Sequence, residues 1–139
     1  MANETMQWPN PGLGSVGSYQ MGGIPYASAS ITVPTNVGPV LKIQFPYVTK
    51  FVTVVNEGVA PAPAIRVGFS ALGTTGSAGG GTNNYFVLDI GQSYTAEMKV
   101  SKVFLLGHTV ATSASVIAGL TGIETGSLQQ NWSGSIGVG

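Results

Sequence analysis

His108 is the only imidazole in the chain and Asp89 the only aspartate, so any Ser-His-Asp hydrolase would have to use both. A serine nucleophile needs a base within hydrogen-bond reach and a third group to orient that base. No serine stands in a G-x-S-x-G elbow, the strand-to-helix turn that exposes such a nucleophile. His108 follows Gly107 directly after an apolar run, which suits a turn residue better than a catalytic base. Two carboxylates flanking a glycosidic bond would be another chemistry, drawn from Asp89, Glu97, Glu57 and Glu124. Asp89 is flanked by Leu88 and Ile90, and Glu97 lies with Lys99 on the opposite strand of a predicted hairpin, so paired surface charge accounts for them.

Other motifs dissolve on inspection of their surroundings. Gly12-Leu13-Gly14-Ser15-Val16-Gly17 fits the dinucleotide pattern G-x-G-x-x-G, yet Pro11 precedes it, with no strand before and no helix after. Metal ligation needs clustered His, Cys or carboxylate groups, and five scattered acids with no cysteine do not supply one. Asn3-Glu4-Thr5 and Asn131-Trp132-Ser133 match the glycosylation sequon, and with no export signal read in the opening residues the matches are expected to be incidental. The expectation is a chain that is not an enzyme and holds no cofactor.

Composition narrows the class further. Charged residues make up 7% of the 139, against about 25% in ordinary globular domains. Apolar residues reach 43%, glycine supplies 21 positions, and mean hydropathy is +0.30. The longest apolar stretch, around Val110 to Leu120, is broken by Thr112, Ser113 and Ser115. It falls short of the ~20 residues a membrane-spanning helix needs. Disorder goes with few large apolar groups and high net charge, the reverse of this chain. Five basic and five acidic residues cancel, which leaves no basic face for nucleic acid. A neutral surface gives little repulsion between copies, so the chain is expected to work packed against other subunits. Absent cysteines exclude disulfides, and the opening Met-Ala-Asn-Glu-Thr lacks a basic, then apolar, export signal.

The elements that would position any site read as strands. Phe45 to Val55 is the densest β-branched and aromatic run, with Val48, Lys50, Val52 and Val54 on one face and Thr49, Phe51, Thr53 and Val55 on the other. Apolar groups on both faces predict a central strand covered on both sides, with Phe51 in the core. Tyr26–Val33 and Val40–Phe45 are predicted to precede it. Pro46 either separates the second of these from the central run or marks a bulge within one long strand. Ala64–Ser70, Tyr85–Ile90, Ser93–Val100, Lys102–Leu106 and Val110–Leu120 follow, with Ile123-Glu124 as an extension of the last. Gly91-Gln92 is predicted to join its two neighbours as a hairpin. Residues 73–84, almost all Gly, Ser, Thr and Asn, are predicted to be an exposed loop that packs on nothing.

About eight short strands with Gly and Pro turns make an all-β, single-domain antiparallel β-sandwich, jelly-roll-like, with an extended N-terminal arm. The boundaries are an arm at 1–25, a sandwich domain at 26–125 and a Gly/Ser-rich tail at 126–139. Trp8-Pro9-Asn10-Pro11 forbids helix in the arm. Met6, Trp8, Pro9, Pro11, Leu13, Tyr19 and Met21 of the arm, with Trp132 of the tail, form the candidate interface. Trp anchors interfaces often, and whether the arm docks on its own domain or on a neighbour is left open by the sequence.

The runs Lys42-Ile43-Gln44-Phe45-Pro46-Tyr47-Val48-Thr49-Lys50-Phe51-Val52-Thr53-Val54, Asn83-Asn84-Tyr85-Phe86-Val87-Leu88 and Met98-Lys99-Val100-Ser101-Lys102-Val103-Phe104-Leu105 give the chain a particular look. In style over most of its length it resembles the small virion structural proteins of tailed bacteriophages, and within them a capsid decoration (cement) protein. The resemblance implies a homo-oligomer, often a trimer, made in the host cytoplasm without a signal peptide and bound outside the head at capsomer junctions. Its partners would be the major capsid protein and copies of itself, with neither nucleic acid nor membrane involved. The alternative is a receptor- or glycan-binding sandwich from a fibre or adhesin, using Trp8 and Trp132 as stacking platforms. A hydrolase built on His108 and Asp89 stands third.

Overall fold

The computed structural model describes residues 23–59, 61, 64–76 and 83–128. Eight strands form two four-stranded antiparallel sheets. Their ranges are β1 Ile24–Val33, β2 Leu41–Gln44, β3 Tyr47–Asn56, β4 Ile65–Gly68, β5 Tyr85–Leu88, β6 Ser93–Ala96, β7 Lys102–Gly107 and β8 Thr112–Glu124. One sheet has the order β1-β8-β3-β6 and the other β2-β7-β4-β5. Every connection but β4–β5, which joins paired neighbours of one sheet, therefore carries the chain from one sheet to the other. That winding is the jelly roll, which the alternating strand patterns and short turns had suggested.

The core lies between the sheets. Val52 and Val54 of β3 and Ala114, Val116, Ala118 and Leu120 of β8 face Ile43, Val103, Leu105, Ile65 and Val67 of the other sheet. An aromatic pair seals each lateral opening. Tyr26 on β1 meets Phe45, just past β2, edge-on at 5.0 Å. Phe86 on β5 meets Tyr94 on β6 at 4.4 Å. Both pairs join edge strands of opposite sheets, where a sandwich would otherwise admit water to its core.

Pro46 separates two strands, and those strands belong to different sheets. β3 is interior to its sheet, flanked by β8 and β6. Only one of its faces is covered by the second sheet, however, which corrects the expectation of two covered faces. Val48, Val52 and Val54 are buried, whereas Phe51, Thr53 and Val55 are half-buried on the outer face. The Phe51 ring lies over Gly119 of β8 rather than in the core. The apolar outer face is thus shielded by a neighbouring strand's lack of side chain, not by another layer.

Three further expectations change. The hairpin at Gly91-Gln92 does not form, because β5 and β6 lie in different sheets. Gly91, at φ 75°, turns the chain across, and its N–H donates to Asn56 O at 3.1 Å. Period-2 alternation shows that two segments are strands and is silent about whether they pair. The second of them ends at Ala96 rather than Val100. From there the chain leaves the sheet to reach Thr49, whose hydroxyl donates to Met98 O at 2.7 Å and accepts from Val100 N–H at 3.1 Å.

The loop at 73–84 also packs in part. Ala71–Thr75 is a short helix, α1, capped by the Ser70 hydroxyl accepting from Gly73 N–H. It lies on β4 of the second sheet, with Thr74 fully buried. A Cβ on Gly68 would overlap the Thr74 hydroxyl, so the absent side chain at Gly68 is what lets α1 sit down. The sequence signal was an N-cap serine ahead of a single turn, too short to register as a helix on its own.

Truncation of Leu105, buried at the centre of the sandwich, is expected to cost about 2–5 kcal/mol as Leu105→Ala. Phe51→Ala should cost clearly less, since its ring keeps one side in water. Urea melts of both variants decide this: equal losses would place Phe51 in the core after all.

Candidate interaction surfaces

The two ends of the sandwich differ in what they carry. Strand directions place β1's start, β8's end, and the β2–β3, β4–β5 and β6–β7 connections at one end, here the terminal pole. The β1–β2, β3–β4, β5–β6 and β7–β8 connections gather at the other, the loop pole.

The eight candidate interface residues, Met6, Trp8, Pro9, Pro11, Leu13, Tyr19, Met21 and Trp132, all lie outside the described residues. Their points of attachment are described. Ile24 opens β1 opposite Leu120, and Glu124 closes β8 opposite Tyr47. β1 and β8 are neighbours in one sheet, so the arm and the tail leave the domain side by side from the terminal pole. The sandwich begins at Ile24 rather than residue 26 and its last strand ends at Glu124. Exposed apolar groups surround those exits: Ile24 at 40%, Tyr47 at 36% and Met98 at 36%.

The loop pole was not legible as a surface in the sequence. Each of its four loops turns one aliphatic side chain outward: Val37 is 90% exposed, Val59 82%, Val110 49% and Ile90 43%. Single exposed aliphatics are ordinary. Four on four successive cross-connections at one pole are a surface feature that turn chemistry does not require, since Gly, Pro, Asn, Asp and Ser suffice for turns. The only sequence sign was a Val or Ile within each of these four connections.

Backbone bonds hold these loops in fixed relation. Gly107 N–H donates to Pro34 O at 2.8 Å, tying the end of β7 to the β1–β2 loop. His108 N–H donates to Ala64 O at 2.9 Å, tying it also to the start of β4. A Cβ on Gly107 would run into the carbonyls of Val110 and Pro34, so the close approach depends on glycine. Asn56, buried at the end of β3, reaches across the sandwich: its Nδ2 donates to Leu88 O at 3.0 Å, and its Oδ1 accepts from Gly58 N–H at 2.8 Å.

Two of the groups considered for catalysis, His108 and Glu57, have structural side-chain partners. His108 is half-buried, and its Nδ1 accepts from Arg66 Nε at 3.2 Å. The same guanidinium stacks over Tyr85 at 4.6 Å and donates through Nη1 to Thr75 O at 2.8 Å, pinning α1. Arg66 takes the place beside His108 that a triad gives to a carboxylate. Asp89 is exposed in the β5–β6 turn, where its backbone exchanges bonds with Gln92. Glu57 accepts from the Ser115 hydroxyl on the outer sheet face. Among the described residues no three His, Cys or acidic groups cluster to hold a metal, and no helix is long and apolar enough to cross a membrane.

No family model matches the chain, and neither the curated proteins nor the solved structures contain a match to it.

Arg66→Met should loosen α1 before it unfolds the sandwich, because the lost contacts are local to β4, His108 and Thr75. Hydrogen exchange is expected to rise at residues 71–76 while the protection of β3 and β8 persists. Unchanged exchange at 71–76 would show that the Gly68–Thr74 contact alone holds the helix.

Proposed function

We propose that the chain is a non-enzymatic virion structural protein of the capsid-decoration kind, anchored to the outside of a phage head by its two terminal segments. The observation that carries this reading is the common exit of both segments from one pole. In this reading the apolar anchors are Met6, Trp8, Leu13, Tyr19 and Met21 of the segment before β1 and Trp132 of the segment after β8. Two tethers leaving the same place raise each other's effective concentration on a surface, so avidity exceeds either contact alone.

Other features support it. The jelly roll is used by capsid domains, though also by lectins and cupins, so the fold by itself assigns nothing. A chain with 7% charged residues suits close packing among neighbours. The sandwich, in this account, is a rigid spacer that holds the terminal segments at one end and presents the loop pole at the other. Partners are the major capsid protein and further copies of the chain, and the site of action is the capsid surface.

Co-sedimentation with purified heads of the source virion tests the reading. The intact chain should pellet with heads and saturate at a fixed ratio to capsomers. Removing residues 1–22 should weaken binding at least tenfold, and removing 129–139 should weaken it further, with the melting curve of 23–128 retained. Undiminished binding by the doubly truncated chain would sink the anchoring role, and a chain found only in tail fractions would sink the capsid assignment.

A further inference from the structure

We infer that His108 is an acid-sensitive latch on α1: the neutral imidazole helps seat the helix on the outer face of the second sheet, and its protonation frees the helix and uncovers Phe104 and Leu106. Both faces of β7 are closed. Val103 and Leu105 point into the sandwich. Phe104 and Leu106 alternate with them and so belong to the outer face, yet they are only 6% and 0% exposed. Register identifies their cover. Phe104 stands opposite Gly68 and Leu106 opposite Arg66 on β4, and residues directly opposite one another share a face. Gly68 meets Thr74 of α1 on that face, and α1 packs on both β4 and β7. The helix is thus a lid over two large apolar groups that lie outside the sandwich core.

Little else holds that lid down. α1 is a little over one turn, too short to persist by itself, and its one large apolar side chain, Leu72, is 77% exposed. Its end is tied by Arg66, whose Nη1 donates to Thr75 O at 2.8 Å. The guanidinium is held in that pose by stacking over Tyr85 at 4.6 Å and by donating from Nε to His108 Nδ1 at 3.2 Å. Because Nε is the donor, Nδ1 must present a lone pair, which only the neutral ring has. Both nitrogens of an imidazolium donate, so no rotation of the charged ring restores an acceptor. The protonated ring also sets a second cation beside a guanidinium that is always charged. Arg66 must then swing away from His108, and Nη1 leaves Thr75 with it.

Charge around the imidazole is sparse. Arg66 faces it from β4 and the Tyr85 ring from β5, at 6.4 Å. α1 and the β1–β2 and β7–β8 connections add no further charged residue. The acids of the loop pole are Glu57, which accepts from Ser115 on the other sheet, and Asp89, exposed in its turn. Further along the covered face stand two more cations, Lys42 opposite Phe104 and Lys102 over its ring at 6.0 Å. Imidazole is the side chain that ordinarily changes charge between about pH 5 and 8, which sets the interval to test. The latch belongs to the folded domain and is independent of the capsid reading.

Hydrogen exchange of the full-length chain at about pH 8 and about pH 5 tests it, read as protection factors so that the intrinsic pH dependence of exchange divides out. The amides of Gly73, Thr74 and Gly76 are bonded within the α1 turn, to Ser70 and Leu72. They should lose protection roughly tenfold in acid, the effect of one released charge-assisted hydrogen bond, while β3 and β8 keep theirs. Binding of the apolar dye anilinonaphthalene sulfonate should rise in parallel as Phe104 and Leu106 open. His108→Gln offers Arg66 an acceptor that does not titrate, so its protection should be equal at both pH values. Arg66→Met removes the latch, so its α1 should be equally loose at both. Unchanged protection of the unaltered chain between the two pH values overturns the inference. So does His108→Gln loosening in acid as much as the unaltered chain, or an equal loss at β3 and β8. Should His108→Gln fail to seat α1 even at the higher pH, Arg66→Met decides, and an acid response that survives in it overturns the latch.

Discussion

The jelly roll depends on closing two sheets at both ends while no backbone polar group is left dry, and one buried side chain does this at the loop pole. Asn56 ends β3 in the first sheet and donates from Nδ2 to Leu88 O in the second. Its own N–H donates to Gln92 O and its carbonyl accepts from Gly91 N–H, so a single residue satisfies the β5–β6 crossing. A buried amide left with an unpaired donor costs roughly 1–3 kcal/mol. The crossing must therefore pass where Asn56 can reach it, and the loops that carry Val59 and Ile90 are set by that requirement.

Hydroxyls serve the same purpose at the terminal pole. Thr49 is fully buried, donates to Met98 O and accepts from Val100 N–H, taking over where β6 leaves the sheet. Thr121 donates to Val48 O at 2.7 Å and accepts from Ile123 N–H at 3.2 Å. The register between β3 and β8 shifts at that point, between Tyr47 and Phe51. Side-chain hydroxyls replace ladder bonds that the shifted register cannot make. Buried Thr49 and Thr121 thus stand where the regular pattern breaks.

These requirements explain what could be read from the chain. Strand existence was legible because one buried face forces alternation, and Leu41–Gln44, Tyr47–Asn56 and Thr112–Glu124 fall where the alternating runs lie. Partners were not legible, since β5 and β6 alternate as a hairpin would but are held apart by the Asn56 bonds to Gly91 and Gln92. Phe51 misled for a related reason. An aromatic in an alternating run looks like core, and only the pairing of β3 with Gly119 of β8 shows that it can be shielded from the outside. α1 escaped because tertiary contacts, Thr74 against Gly68 and Arg66 to Thr75, hold a turn too short to stand alone. The apolar loop pole escaped because its four aliphatics are distant in sequence and become one surface only through the winding.

Low charge makes the few charges decisive. With five cations and five anions over 139 residues, repulsion between copies is weak and burial of exposed aliphatics favours contact of many kinds. What remains to discriminate orientations is where the carboxylates stand. Asp89 is exposed in the β5–β6 turn of the loop pole, whereas Glu57 is turned back onto the outer sheet face by Ser115. The winding of the jelly roll thus does more than enclose a core. By sending the β1–β2, β3–β4, β5–β6 and β7–β8 connections to one end and the start of β1 and the end of β8 to the other, it gives a nearly neutral domain two unlike ends.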